Sequence, residues 1–173
     1  FKLDASRLKN VARSKNATVT AYILALLFIA GKSATDEPEG EMSIQVPVNM
    51  RKFCPSDTVR NFSLYCSIRL PVDIISGTES VIGNISQQLK QETSPQNMSR
   101  MMASTKRMGD LLRFIPLSVK APAARFIFGF LGDKAFSNTL SNLGVVTMPP
   151  QMAQHIDSMD FILAGSCGMV TFG

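Results

Sequence analysis

The chain has 173 residues, of which 45% are hydrophobic and 18% charged, and a formal net charge of +5. These values suit one globular domain with a sizeable core and exclude disorder over most of the length. The lysines and arginines are scattered, and two tyrosines without a tryptophan give little surface for stacking on bases, so no nucleic-acid partner is expected. No signal peptide is recognisable, which predicts a cytoplasmic protein, and the first residue, Phe1, indicates a fragment of a longer one.

Two helices are predicted at the start of the chain. Residues 4–16 place Leu8 and its apolar neighbours at helical spacing with basic residues on the other side. Residues 18–31 are apolar on nearly every side, and Gly31 is the predicted end of that helix. The uncharged run ends at Lys32, short of the roughly 18 residues that a membrane span needs. A central buried helix is therefore expected, with no membrane partner.

Two strands are predicted after an exposed acidic loop over residues 35–42. Residues 43–50 are strand-like, although Pro47 favours an edge position or an irregularity. Residues 61–72 alternate apolar and polar side chains, which makes them the clearest strand in the chain. The segment between the two strands, residues 53–59, is predicted to be a turn or loop.

A long helical stretch opens at Thr78 or Ser80, and Pro95 interrupts it. A row of methionines and leucines then continues the helical pattern from Met98 to Leu112. Such a row is typical either of a partner-binding surface or of a helix packed on a sheet, and the packed helix is the preferred interpretation.

The last third of the chain predicts one more helix and further strands. Residues 121–136 form the helix, with Pro122 in its first turn. Its phenylalanines, Phe126 among them, are expected either to be buried or to line an apolar pocket. A short strand is predicted from Leu143 to Met148, and residues 160–173 are predicted to be strand broken by glycines.

Several helices and about four strands occur in mixed order without an internal repeat. This pattern predicts an α/β or α+β two-layer sandwich, in which helices cover one mixed β-sheet. Residues 1–173 are expected to form a single domain.

The only histidine and a serine between glycines are the obvious nucleophile and base candidates. His155 has Asp157 and Asp160 close by in sequence, but a catalytic pair requires contact in space, so a solvent-facing histidine in a short helix is preferred. Ser166, followed by Cys167, lacks the G-x-S-x-G spacing of a nucleophile elbow, and a glycine-broken strand is preferred. One histidine and three unclustered cysteines without a CxxC predict no metal site.

Two arginines flank the predicted turn, Arg51 and Arg60. A guanidinium group binds a carboxylate with a two-pronged geometry. The pair therefore indicates either a structural salt bridge that holds the loop or an arginine that positions a carboxylate of an active site.

Three segments, in this order and spacing, resemble the C-terminal half of the chloramphenicol-acetyltransferase-like superfamily. They are "TVTAYILALLFIAG", "IQVPVNMRKFCPSDTVRNFSLY" and "LSNLGVVTMPPQMAQHIDSMDFIL". The likeness spans about Phe1 to Phe161 and is nearest to bacterial alcohol acetyltransferases and condensation-like proteins. It implies one lobe of the coenzyme-A-dependent acyltransferase fold.

In that family, two similar lobes enclose a tunnel, and a histidine in an HxxxD motif of the N-terminal lobe deprotonates the acceptor. The resemblance thus implies transfer of an acyl group from a coenzyme A or phosphopantetheine thioester to a small alcohol or amine, without a covalently bound cofactor. This chain has no HxxxD, because Met159 stands four residues after His155. It is therefore expected to be the C-terminal lobe, inactive alone and partnered by the N-terminal lobe of the same protein.

The resemblance assigns roles to six residues and a catalytic role to none of them. Arg51 matches the structural arginine of the family, for which a carboxylate partner is expected, and Asn49 is expected to hold the same turn. The residues expected to line the tunnel are Asn61, Phe62, Ser141 and Asn142.

Two other functions stay open. In one, the parent protein contains a condensation domain of a nonribosomal peptide synthetase; in the other, this lobe is a non-catalytic module that binds a partner through its methionine and phenylalanine surfaces. An isolated lobe is also expected to expose the face that meets the other lobe, and hence to form a homo-oligomer in solution.

Overall fold

The computed structural model describes residues 3–35, 39–131, 137–142 and 144–158. Within them the fold is mixed α/β, as expected. Its helices are α1 (Ala5–Ser14), α2 (Val19–Ala34), α3 (Thr78–Glu92), α4 (Pro95–Arg113), α5 (Leu117–Leu131) and α6 (Pro150–Ala153). Its strands are β1 (Glu41–Asn49), β2 (Ser63–Pro71) and β3 (Asn138–Thr139). The strand predicted for residues 160–173 lies outside the described residues.

Side-chain caps explain where three of the helices begin. The carboxylate of Asp4 accepts hydrogen bonds from two backbone N–H groups at the start of α1, and the Thr18 hydroxyl accepts one at the start of α2. Ser94 caps α4, whose first residue is Pro95. A proline is well suited to this position because its missing N–H would have no partner in the first turn. The predicted break between α3 and α4 is confirmed.

The core forms where α2 and α3 pack on one face of the β1–β2 pair. Leu24 and Phe28 of α2 have no exposed surface. The residues that meet them from the strands and from α3 include Ile44, Val46, Cys66, Ile68, Leu70, Val81 and Ile85. The predicted central helix and the predicted alternation of β2 are therefore confirmed. Among the described residues, no single helix is both long and apolar enough to cross a membrane; α1 and α2 meet the criteria only as a pair bent by 82°.

The prediction that α2 ends at Gly31 is wrong, because the helix continues to Ala34. Gly31 lies where α2 passes over the beginning of β1. A Cβ atom at this position would overlap the terminal methyl group of Met42. The glycine thus permits close approach of helix and strand and does not terminate the helix.

Pro47 lies on β1, which is the central strand and pairs with β2 on one side and β3 on the other. Pro47 faces Tyr65 across the antiparallel β1–β2 pair. Two backbone hydrogen bonds flank this ladder: the Met50 N–H donates to the Phe62 carbonyl, and the Val72 N–H donates to the Gly40 carbonyl. They indicate that the directly hydrogen-bonded pairs of β1 and β2 lie at the even-numbered positions of β1. The Pro47 nitrogen therefore points toward the β3 side, where the described pairing ends at Gln45. Pro47 therefore lies on the central strand, but at a position past the residues of β1 that pair with β3.

The prediction of a strand from Leu143 to Met148 is wrong for the described residues, 144–148, which have no regular structure. The third strand lies earlier, at Asn138–Thr139, and runs parallel to β1. Its backbone bonds join Ser137 N to Ser43 O at 2.7 Å and Leu140 N to Gln45 O at 2.8 Å. These partners are too distant in sequence for local propensity to reveal them.

The expected position of Pro122 in the last long helix is also wrong. The helix α5 begins at Leu117, so Pro122 lies inside it and not in its first turn. Phe126, which was expected to be buried or to line an apolar pocket, is not buried, since 70% of its surface is exposed. The earlier start follows from Pro116, whose carbonyl accepts bonds from the N–H groups of Val119 and Lys120 at 3.0 Å.

Two leucines of α2 provide a matched test of this packing. Leu24→Ala should lower the free energy of unfolding by about 2–5 kcal/mol, because it removes a fully buried side chain and leaves a cavity. Leu26→Ala, at a position that is 43% exposed, should cost about 0.5 kcal/mol or less. Urea denaturation followed by circular dichroism measures both values, and equal losses would contradict the burial of Leu24.

Candidate functional site

The residues singled out from the sequence lie at one end of the sheet. The strand β1 ends at Asn49, which pairs with Ser63 at the start of β2. Because β3 runs parallel to β1 and pairs with its middle, the chain leaving β3 at residues 140–142 continues toward the same end. This end of the sheet carries the candidate functional site.

A tight turn follows β1 and positions Arg51. The Asn49 side chain accepts a hydrogen bond from the Arg51 N–H at 3.0 Å, as expected of a residue that holds this turn. Met50 is buried beneath the turn. The backbone of Arg51 is thereby fixed before its side chain extends toward the loop that leads to β2.

The Arg51 guanidinium group holds that loop. Its Nη2 donates to the carbonyl oxygen of Thr58 at 2.7 Å and to that of Arg60 at 2.9 Å. The same group lies over the ring of Phe62, 5.9 Å from the ring centre, within the range of a cation–π contact. One side chain therefore joins both ends of the connection between β1 and β2.

The other nitrogens of the Arg51 guanidinium group bind nothing in the described part of the chain. Nε and Nη1 of Arg51 have no hydrogen-bond partner there, and neither of the two ion pairs involves Arg51. Its contacts in these residues are thus backbone carbonyls, and the expected carboxylate partner is not among them. Both two-pronged edges of a guanidinium group include Nη2, which is already engaged, so Nε and Nη1 remain as separate charged donors, each able to bind one carboxylate oxygen.

Asn61 and Phe62 line a cavity of ≈ 330 Å³ between the start of β2 and α4, here called the β2–α4 cavity. The Asn61 side chain accepts a bond from the Ser63 hydroxyl at 2.8 Å. Helix α4 contributes Thr105 and Lys106 to the wall. A cationic amine and an amide thus stand beside an otherwise mainly apolar lining.

Ser141 and Asn142 line a second cavity, of ≈ 250 Å³, here called the α1–α2 cavity. The Asn142 amide donates to the Thr20 hydroxyl at 3.1 Å, and its oxygen accepts the Gly144 N–H at 2.9 Å. Gly144 has a φ of 70°, which favours glycine in this turn. The remaining lining is mainly apolar and includes Ile23, Leu140, Val19, Leu8 and Val145.

The two cavities share no lining residue. The structure therefore brings the predicted residues to one end of the sheet but not into one described cavity. Sequence reasoning missed the parts played by Thr20, which lies in the first of the three segments but far in sequence from Asn142, and by Lys106, which lies outside all three. No local signal could have found them, since Thr20 is 122 residues from its partner Asn142.

The other candidates from the sequence do not form a catalytic group in the described residues. His155 is exposed after α6, and its Nε2 lies 3.2 Å from the Gln154 amide nitrogen, not beside a carboxylate. Ser166, Cys167 and Asp160 lie outside the described residues. Within the described ranges, no three histidine, cysteine or acidic side chains are grouped so that they could hold a metal ion.

Cys66 is buried on the core face of β2, where its Sγ lies 3.5 Å from the carbonyl oxygen of Val46. Burial, with a smaller contribution from the charge of Glu92, raises the pKa of this thiol from 9.0 to about 11. A protonated, buried thiol is a poor nucleophile. Cys66 is therefore a core residue, and Cys54 is the exposed thiol of the described chain.

Comparisons with known proteins found no match to this chain. No protein-family model matches it, no curated protein is significantly similar in sequence, and no solved structure is significantly similar in fold. The functional assignment therefore rests on the residues and the geometry described above.

Alkylation should distinguish the two described cysteines. Because a pKa of about 11 in place of 9.0 lowers the thiolate fraction about 100-fold at pH 8, native Cys66 should react with iodoacetamide at least about 100-fold more slowly than in the urea-unfolded chain. Cys54 should react readily in both states. Peptide mapping by mass spectrometry measures each site, and rapid native labelling of Cys66 would contradict its burial.

Since folded Cys66 keeps its proton above the pH at which the unfolded chain loses it, the contribution of Cys66 to the stability of the fold should decrease between about pH 9 and 11.

Removal of the Arg51 side chain should loosen the loop. Arg51→Ala should cost about 1–2 kcal/mol of unfolding free energy, because it removes two hydrogen bonds from a charged donor. Arg60→Ala is the matched control, since its exposed side chain makes no such bond and only its carbonyl accepts from Arg51. Denaturant unfolding and limited proteolysis of residues 53–60 measure the effect, and equal behaviour of the two variants would refute this role.

Proposed function

We propose that this chain is the C-terminal lobe of an acyltransferase that moves an acyl group from a coenzyme A or carrier-protein thioester to a small alcohol or amine. The observation that carries the proposal is the geometry of Arg51. Its Nη2 holds the loop carbonyls, whereas Nε and Nη1 bind nothing in the described residues. A guanidinium group that is fixed in this way and keeps charged donors can pair with a carboxylate from another lobe.

The proposed role of this lobe is to position groups and to bind. In the parent protein, Arg51 would orient the aspartate of an HxxxD motif and so hold the loop that carries the catalytic histidine. That histidine would take the proton from the acceptor hydroxyl or amine, which attacks the thioester carbonyl carbon. The described residues of this chain offer no such base, because His155 is exposed and has no carboxylate partner.

The two cavities support the proposed substrate class. The α1–α2 cavity is mainly apolar, with the polar groups of Thr20 and Asn142 at one side, which suits an acyl chain that ends in a polar carbonyl. The β2–α4 cavity carries Lys106, whose charge suits a phosphate of coenzyme A or phosphopantetheine. Both cavities lie at the end of the sheet where Arg51 stands.

Two rival functions remain, and each is favoured by a particular observation. A condensation domain uses the same proposed residues with an amine acceptor, so only the neighbouring domains and the substrate separate it from the leading proposal. A non-catalytic binding lobe is favoured by the large apolar side chains that α4 and α5 expose. The parent of such a lobe would contain no HxxxD.

The decisive experiment uses the protein encoded by the entire reading frame. Its sequence is examined for HxxxD upstream of Phe1, and its activity is measured as release of the coenzyme A thiol from acetyl-coenzyme A in the presence of an alcohol. Arg51→Ala should lower kcat/KM about 10–100-fold, by analogy with other residues that orient a catalytic group. Arg51→Lys should recover little of it, because an ammonium group cannot hold two loop carbonyls and a carboxylate with the same planar geometry.

Arg60→Ala serves as the control and should keep wild-type kcat/KM. Wild-type activity and stability of Arg51→Ala would show that the residue assignment is wrong. Two results would exclude catalysis by the proposed mechanism: the absence of HxxxD from the native protein, or the absence of thiol release with both alcohol and amine acceptors. Either would leave the binding lobe as the function to pursue.

A further inference from the structure

The corner formed by the end of α4 and most of α5, residues 105–127, differs from the rest of the fold. Its large apolar side chains are exposed to solvent and not packed in the core. Those with more than a third of their surface exposed are Met108, Leu111, Leu112, Phe114, Ile115, Leu117, Val119, Phe126 and Ile127. At the turn itself, Phe114 is 88% exposed. Exposed apolar clusters of this kind mark interaction surfaces.

The corner also carries a net positive charge. Residues 105–127 contain five lysines and arginines and one aspartate, so their net charge is +4, whereas that of the remaining residues is +1. The cations are Lys106, Arg107, Arg113, Lys120 and Arg125. None of them takes part in either ion pair of the described chain. The apolar surface is therefore bordered by positive charge that nothing described here neutralises.

The two helices arrange these side chains on separate faces. In α4, Met108, Leu111 and Leu112 stand at positions i, i+3 and i+4 and share one face. Arg107 stands beside this face, whereas Lys106 and Arg113 lie on the opposite side of the helix. In α5, the row that begins at Val119 and recurs at i+3, i+4 and i+7 is apolar, and Lys120 and Arg125 flank it on its two sides.

We propose that the α4–α5 corner binds the surface of an anionic phospholipid bilayer. Its apolar side chains enter the boundary between headgroups and acyl chains, and its cations meet the lipid phosphates. This mode of binding needs no membrane-spanning helix. It therefore departs from the expectation of no membrane partner, which was based on the length of the apolar run in the sequence. The proposal does not rest on the acyltransferase assignment.

The charge decides between a bilayer and a second copy of the chain. Two copies joined through this corner would bring two sets of five cations together, and juxtaposed like charges oppose association. A bilayer with anionic lipids offers an apolar interior and a negative surface in one partner, so it complements both features of the corner at once.

The test measures binding of the chain to vesicles by flotation. Vesicles of phosphatidylcholine with about 30% phosphatidylglycerol should bind the wild type, and vesicles of phosphatidylcholine alone should bind it at least about tenfold more weakly. About 0.5 M salt should weaken binding to the anionic vesicles, because it screens the cations.

Two double variants separate the two contributions. Leu111→Gln with Phe114→Gln should weaken binding to the anionic vesicles about tenfold or more, since each removes an apolar group from the membrane boundary. Arg107→Gln with Lys120→Gln should weaken it about 25-fold, about fivefold per cation removed. Circular dichroism should show that both variants fold, because the substituted side chains lie outside the core.

Matched controls carry the same changes elsewhere. Arg13→Gln with Lys90→Gln alters the net charge equally at exposed sites on α1 and α3, and Val59→Gln changes an apolar side chain that is 99% exposed. All three substitutions should leave binding unchanged. Absence of wild-type binding to anionic vesicles, equal binding to neutral ones, or equal losses in the controls would overturn the proposal. A stable dimer by light scattering that the Leu111 and Phe114 variant abolishes would assign the corner to self-association and overturn it as well.

Discussion

Packing of the apolar helix α2 against the paired strands β1 and β2 is the contact on which the other described features depend. The side chains of Leu24 and Phe28 are withdrawn from water only because the strands present an uninterrupted apolar face. Their burial, at roughly 2 kcal/mol for each large side chain, offsets part of the entropy lost in ordering the chain. The same contact fixes the end of the sheet at which the candidate site forms.

The candidate site follows from how β1 ends. Asn49 turns the chain, and Arg51 then reaches across to the carbonyls of Thr58 and Arg60. A charged group that donates to neutral carbonyls keeps its charge, so the loop is ordered without neutralising the arginine. This leaves a fixed cation whose Nε and Nη1 bind nothing in the described residues, which is why an acyltransferase lobe that receives a carboxylate from its partner is the preferred proposal.

The helices α2 and α5 show that composition alone does not decide burial. Both are rich in apolar residues, yet α2 is enclosed by α1, α3 and the sheet, whereas the described side chains of α5 are largely exposed. Helix α4 leaves the core after Met98, and its leucines beyond this point are exposed. The apolar residues of the corner therefore face whatever partner the protein meets, and the surrounding cations restrict which partners fit.

The sequence by itself determined the elements whose causes are local. The alternation of β2 and the break at Pro95 depend on residues a few positions apart, and both were predicted. The caps at Asp4, Thr18 and Ser94 are local in the same way. Tertiary structure alone decided the position of β3, since its bonds to β1 join residues 94 positions apart, as between Ser43 and Ser137. It also decided that Gly31 packs on Met42, that Arg51 binds carbonyls, and that Phe126 is exposed. These outcomes depend on which segments meet in space, and short-range propensity carries no information about such distant pairings.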